Sequence, residues 1–187
     1  MLGWANDFLA QPWPALTFLA LALVAAVTHH PLARRLGWAR WPTLGAMLGA
    51  AAVATLTLLP APDTSIGGPD LSAIGSCAGA LFDPPALWHA LTTTADKGER
   101  VGNVLMFVPM TFFAVLAARR PGRVAGVAVL VPVAIEFTQA IMSAGRACIA
   151  NDWVNNAIGA VLGVLLGVLA TRTSTRQPAG VGESPPR

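Results

Sequence analysis

The chain has 187 residues, 55% of them hydrophobic and 11% charged, with a mean hydropathy of +0.60. Globular chains carry about 25% charged residues, so this composition excludes an ordinary soluble domain, a coiled coil and a disordered chain. The net charge of +3 is too small to furnish a nucleic-acid-binding face, and uncharged apolar runs of ~20 residues point to a chain whose solvent is mostly lipid.

Five such runs follow one another: about Phe8–Thr28, Trp41–Leu59, Val101–Ala118, Val124–Met142 and Trp153–Thr171. Each is roughly long enough to cross a ~30 Å hydrocarbon core. Gln11, Pro12 and Pro14 open the first, so its helix is expected to begin around Trp13. Pro42, Pro60, Pro62 and Pro121 sit at boundaries, where a missing N–H costs little. Pro109 and Pro132 are interior and predict kinks. The segment 60–100 is too long for a simple turn and is read as an extracytoplasmic loop bearing a small structured cap. Within it Phe82–Thr92, with Trp88 and His89, predicts a short interfacial helix. The tail 171–187, rich in Ser, Thr, Pro, Gly and Arg, predicts cytoplasmic disorder. The expected fold is therefore all-α, a polytopic transmembrane bundle over 1–170 followed by that tail.

The charges orient the bundle. Arg34, Arg35 and Arg40 lie between spans one and two, Arg119, Arg120 and Arg123 between three and four, and Arg172, Arg176 and Arg187 after span five. The segment 60–100 instead has Asp63, Asp70, Asp83, Asp96 and Glu99 against Lys97 and Arg100. An excess of Arg and Lys marks cytoplasmic loops, which predicts the N-terminus outside and the C-terminus inside. With Asp7 and no basic residue before the first span, that span is expected to be a retained anchor.

Cys77 lies in segment 60–100 and Cys148 in the short loop Ser143–Asp152 between spans four and five, both predicted to be extracytoplasmic, where disulfides persist. A single bridge between them is expected. No zinc set is expected, because His29 and His30 lie at the opposite side from both cysteines and from His89.

Ionisable groups inside spans are costly and normally face a bundle interior or a watery cavity. Glu136 is the one well inside a predicted span, about six residues or ~9 Å from the outer end of span four. Gln139 is one turn further out on the same face. Span five re-enters with Asp152, Asn155 and Asn156, the first and last one turn apart, and span three enters with Arg100 and Asn103. Asn103, Glu136, Gln139, Arg146, Asp152 and Asn156 are thereby predicted to gather at one depth in the outer leaflet. Gly159, Gly163 and Gly167 continue the Asp152–Asn156 face as a small-residue stripe that admits a close neighbour, and Gly45 and Gly49 form a second such contact in span two.

The run Gly102–Pro109 (GNVLMFVP), then Glu136-x-x-Gln139, Arg146, and Asp152-x-x-x-Asn156-x-x-Gly159-x-x-x-Gly163, resembles the VanZ-like family of bacterial membrane proteins over about 83–170. The family's pattern often has two acidic residues before the Asn, whereas here Asn151 precedes Asp152. The resemblance implies a multi-pass protein of the cell membrane, in a family whose named member gives low-level resistance to the glycopeptide teicoplanin.

The polar set admits several readings. A structural ion pair of Arg146 with Glu136 or Asp152 would brace the bundle. A binding site at the outer leaflet would use Arg146 and the amides to hold a lipid headgroup, a cell-wall precursor or a lipoglycopeptide. An enzyme acting on a lipid or cell-wall precursor would use Glu136 or Asp152 as acid or base, with Arg146 stabilising negative charge. No cofactor is expected. Confinement of the polar groups to one leaflet argues against a transporter, and a structural partner protein remains open.

Overall fold

The computed structural model describes residue 8 and residues 10–60, 69–93, 97–142 and 148–174. These form seven helices: α1 (Pro12–Leu36), α2 (Arg40–Leu58), α3 (Ala73–Leu81), α4 (Pro84–Thr92), α5 (Lys97–Ala118), α6 (Pro121–Met142) and α7 (Ala150–Ser174). No strand occurs among the described residues. The five longer helices, α1, α2, α5, α6 and α7, are long and apolar enough to cross a membrane. They leave Leu16, Leu23, Val27, Val127 and Leu130 more than half exposed, as suits a surface facing lipid.

Helix ends run past the apolar runs that predict them. α1 continues eight residues beyond Thr28 through His29, His30 and Pro31, and ends in a left-handed Gly37 (φ +66°). There the Trp38 N–H donates to the Ala33 carbonyl at 2.8 Å, closing the last turn in the way that favours glycine. α5 opens at Lys97, four residues ahead of Val101, and α7 runs to Ser174, beyond the boundary at 170. An apolar run ends where lipid ends, but the backbone ladder continues for as long as the chain can propagate it. Pro109 and Pro132 both lie inside helices. Pro42 sits in the first turn of α2, where the N–H groups have no helical partner.

α5 lies between two glycine-bearing helices. On α2, a Cβ added at Gly49 would come within 2.6 Å of the Met110 Cα, and one at Gly45 within 2.6 Å of the Phe113 ring. On α7, a Cβ at Gly159 would strike the Val104 carbonyl, one at Gly163 the Thr111 hydroxyl, and one at Gly167 would lie 2.7 Å from the Val115 Cβ. The stripes thus bring both neighbours against the backbone of α5. Val53, Phe107, Val115, Ala128, Ile135, Ala160 and Val164 fill the core among α2, α5, α6 and α7, while α1 packs along α2 and buries little beyond Pro14, Ala25, His29 and Ala33.

The bundle has two unlike ends. At one, the two short arginine-bearing connections come together, where the Ala39 N–H donates to the Ala117 carbonyl at 3.1 Å. Arg40 stacks 4.9 Å over the Trp41 ring and donates to His29 Nε2 at 3.4 Å. At the other end α3 and α4 form a cap. α3 packs on α6 and α4 on α7, with Ala90, Ala150 and Val154 as the seam of the second pair. Asp83 starts α4 by accepting from the Ala86 N–H at 3.0 Å, ahead of Pro84 and Pro85. Asp70, bonded by the Ser72 hydroxyl and backbone N–H, is held below the usual carboxylate range and precedes α3. Its own N–H donates to the Ile141 carbonyl at 3.0 Å. A disulfide joins Cys77 of α3 to Cys148, just ahead of α7, with Cα atoms 5.4 Å apart.

Candidate functional site at the capped end

Three helices carry polar residues near their capped ends. Asn103 is six residues into α5, Asn156 is six residues into α7, and Glu136 is six residues short of the end of α6. At 1.5 Å per residue each lies about 9 Å from its helix end.

Two of the polar contacts cross between helices. Asn103 Nδ2 donates to Asp152 Oδ1 at 2.9 Å and ties the start of α5 to the first turn of α7. Gln139 Nε2 donates to the Thr57 carbonyl at 2.6 Å. That carbonyl belongs to the last turn of α2, where acceptors have no partner within the helix, so the amide of α6 completes the end of α2. The Thr57 hydroxyl turns back to the Val53 carbonyl at 2.7 Å. Glu136, 2% exposed, lies one turn from Gln139 on the buried face of α6, alongside Pro132 and Ile135.

Deeper burial falls on α7. Asn155 is 0% exposed, and neither its Nδ2 nor its Oδ1 has a hydrogen-bond partner among the described residues. Asn156 Oδ1, Thr55 Oγ1 on α2 and the Trp153 indole N–H are likewise buried without partners there. Buried polar atoms are rarely left so, and each costs about 1–3 kcal/mol when unsatisfied. A carboxamide offers two donors and an acceptor that takes two bonds, so Asn155 alone can engage several polar atoms of a bound group.

Asn103 and Asp152 therefore meet directly, Glu136 and Gln139 share one buried face, and Asn156 is buried beneath Asp152. Arg146 lies outside the described residues. Asn155 and the α2 threonines join the set. Asn155 lies off the glycine register, but Asn151–Asn155 and Asp152–Asn156 are two parallel pairs at helical spacing, which is the sequence signal for it. Thr55 and Thr57 carry no spacing signal of their own. Among the described residues no three His, Cys, Asp or Glu side chains gather where a metal ion would sit.

No curated protein and no solved structure matches the chain significantly. A family model does match, over residues 50–171. The matched region reaches back from the motif-bearing stretch into α2, and so takes in Thr55 and Thr57 together with α3 to α6 and all but the last three residues of α7. It covers well over half of the sequence, contains every residue of the site above, and leaves out α1; the chain belongs to the VanZ/LLP1 family.

Proposed function

We propose that this VanZ/LLP1-family membrane protein binds the polar head of a cell-envelope component at its capped end, and that this end faces outward. The observation that carries the reading is Asn155, wholly buried with both amide atoms unpartnered among the described residues, next to Asn156, whose Oδ1 is in the same condition on α7. A polar group inserted among them recovers bonds that the fold alone forgoes. The outward orientation is supported by the arginines of the opposite end and by the disulfide, a bond that persists in oxidising compartments. The class of ligand is a lipid headgroup, a cell-wall precursor or a lipoglycopeptide, and a contribution to resistance against teicoplanin-type glycopeptides is the phenotype this binding would serve.

Asn155→Leu tests it. Leucine keeps the heavy-atom count and branching of asparagine and removes the unpartnered polar atoms, so the variant is expected to be more stable by about 1–3 kcal/mol in thermal unfolding of the detergent-solubilised chain. Phosphatidylglycerol, a lipid-linked cell-wall precursor and teicoplanin are the probes. At least one should raise the unfolding midpoint of the native protein and none that of the variant. A variant no more stable than the native chain and equally responsive to the probes overturns the proposal.

Burial of the Glu136 carboxyl favours a second reading, an enzyme using Glu136 with Asp152 in acid–base chemistry on such a ligand. Glu136→Gln and Asp152→Asn separate the two. Binding and envelope phenotype are both expected to survive these changes if the site only binds, whereas loss of the phenotype with retained binding marks catalysis.

A further inference from the structure

Beside the polar site, α4 and the capped half of α7 enclose an open groove of about 410 Å³. Leu87 and Leu91 form its α4 wall, and Trp153, Ala157, Val161 and Leu162 are among the α7 residues that line it; the surface it presents is wholly apolar. Nine residues separate Trp153 from Leu162, about 13 Å along the helix. That is close to half of a ~30 Å hydrocarbon core, so the α7 wall of the groove is about as long as one leaflet is deep. Its upper end is Trp153, an aromatic residue of the kind that settles at membrane interfaces. The ring packs edge-on against Phe82, centroids 6.0 Å apart, and its N–H is buried without an acceptor among the described residues. Asp152 and the two buried asparagines follow within the same turn.

We infer that this groove holds one acyl chain of a phospholipid from that leaflet, with the Trp153 ring at the interfacial end of the chain. The occupant follows from the setting. α7 crosses the membrane, and an apolar trough along its capped half meets hydrocarbon instead of water. The groove is apolar throughout, from Leu162 up to Leu87 and Leu91, and ends at Trp153, a residue type that settles at the membrane interface where an acyl chain meets its glycerol. A chain seated there is walled on one side by α4 and on the other by α7, which distinguishes it from lipid passing over the smooth face of α1. The inference rests on the proposed reading of the capped end as the headgroup end, and it narrows the ligand to one delivered laterally from the bilayer.

The test uses the full-length chain in phosphatidylethanolamine–phosphatidylglycerol vesicles containing a trace of phospholipid with a photoreactive diazirine midway along one acyl chain. Adducts are mapped by peptide mass spectrometry after irradiation. Labelling of the groove, Leu87, Leu91 and Ala157–Leu162, is expected to exceed by several-fold that of Leu16, Leu19 and Leu23 on α1, and excess unlabelled phospholipid should compete it away. Ala157→Trp fills the groove from α7 and Leu91→Trp from α4. Whichever folds to a monodisperse protein should lose groove labelling to the α1 level and leave α1 labelling unchanged. Equal labelling of groove and α1 in the native protein, or groove labelling indifferent to both substitutions, overturns the inference. Asn155→Leu is the independent arm: if it alters headgroup-dependent stabilisation while groove labelling fails, the acyl-chain assignment falls and the binding site stands. The reverse result removes the polar site and retains the groove.

Discussion

Gly159→Ala is expected to be among the most damaging single-atom additions the bundle can suffer. The new Cβ would meet the Val104 carbonyl, with the carbonyl carbon 2.8 Å and the Cα 2.9 Å away. These are backbone atoms, so no rotamer change on α5 relieves the clash; α5 and α7 must separate or slide. Alanine in place of glycine ordinarily favours a helix by about 1 kcal/mol, which makes the sign of the outcome informative. Overpacking costs typically 1–3 kcal/mol and more when the backbone must move, so a net loss of about 2 kcal/mol or greater is expected here. The loss should also pull Asn103 from Asp152, since that bond spans the same two helices. Thermal unfolding and size-exclusion profiles of the solubilised protein measure it. Gly75 and Gly79 of α3 have open space where a Cβ would go, and alanine at either is the matched control. Equal behaviour of Gly159→Ala and Gly75→Ala would mean that the close packing of α5 on α7 contributes nothing to stability.

Loss of the Cys77–Cys148 bridge is the second large expected effect. It closes a loop with a sequence separation of 71 that contains α4, α5 and α6, and cross-links of this kind stabilise by roughly 2–4 kcal/mol. The lower half of that range is the better expectation, because helices that remain inserted already restrict the unfolded chain. Cys77→Ser, Cys148→Ser and the double variant should lower the unfolding midpoint by the same amount, since each removes the same bond, and reductant should bring the native protein to that value. A native midpoint indifferent to reductant would show that the bridge adds no stability. The same pair reports orientation: in intact cells a membrane-impermeant thiol reagent should label the native protein only after reduction. Labelling that requires permeabilised cells would reverse the proposed orientation.

The architecture was readable in the sequence because lipid imposes so few solutions: long apolar runs must be helices, since no other spanning segment satisfies its own backbone. Helix ends were less readable, as Pro31 inside α1 and Lys97 at the head of α5 illustrate. The runs record where the membrane is and not where hydrogen bonding stops. In the candidate site, Glu136 and Gln139 announced themselves through the cost of placing such groups in a span, and their burial follows from it. Their partners were hidden. Gln139 donates to a backbone carbonyl 82 residues away, and backbone acceptors leave no mark on composition. In α2 the sequence marks only the packing glycines Gly45 and Gly49, although the helix also supplies the Thr57 carbonyl. Asn155, though visible at the start of span five, falls outside the predicted set because the Asp152–Asn156–Gly159 face marks one stripe of α7 and the buried amide lies beside it.

The sandwiching of α5 between α2 and α7 bears on how the protein is made. Chain order delivers α2, α5 and α6 first, so Glu136 enters the bilayer before the helix that completes its surroundings has been synthesised. Ala160 and Val164, which close the core against Ile135 and Phe107, arrive with α7, as does Asp152, the partner of Asn103. Until then α5 has glycine-lined support on one flank alone. Biogenesis therefore hangs on the last span: α7 is the keystone, set after the other helices are in place, and the earlier helices wait in the membrane as an unfinished arch.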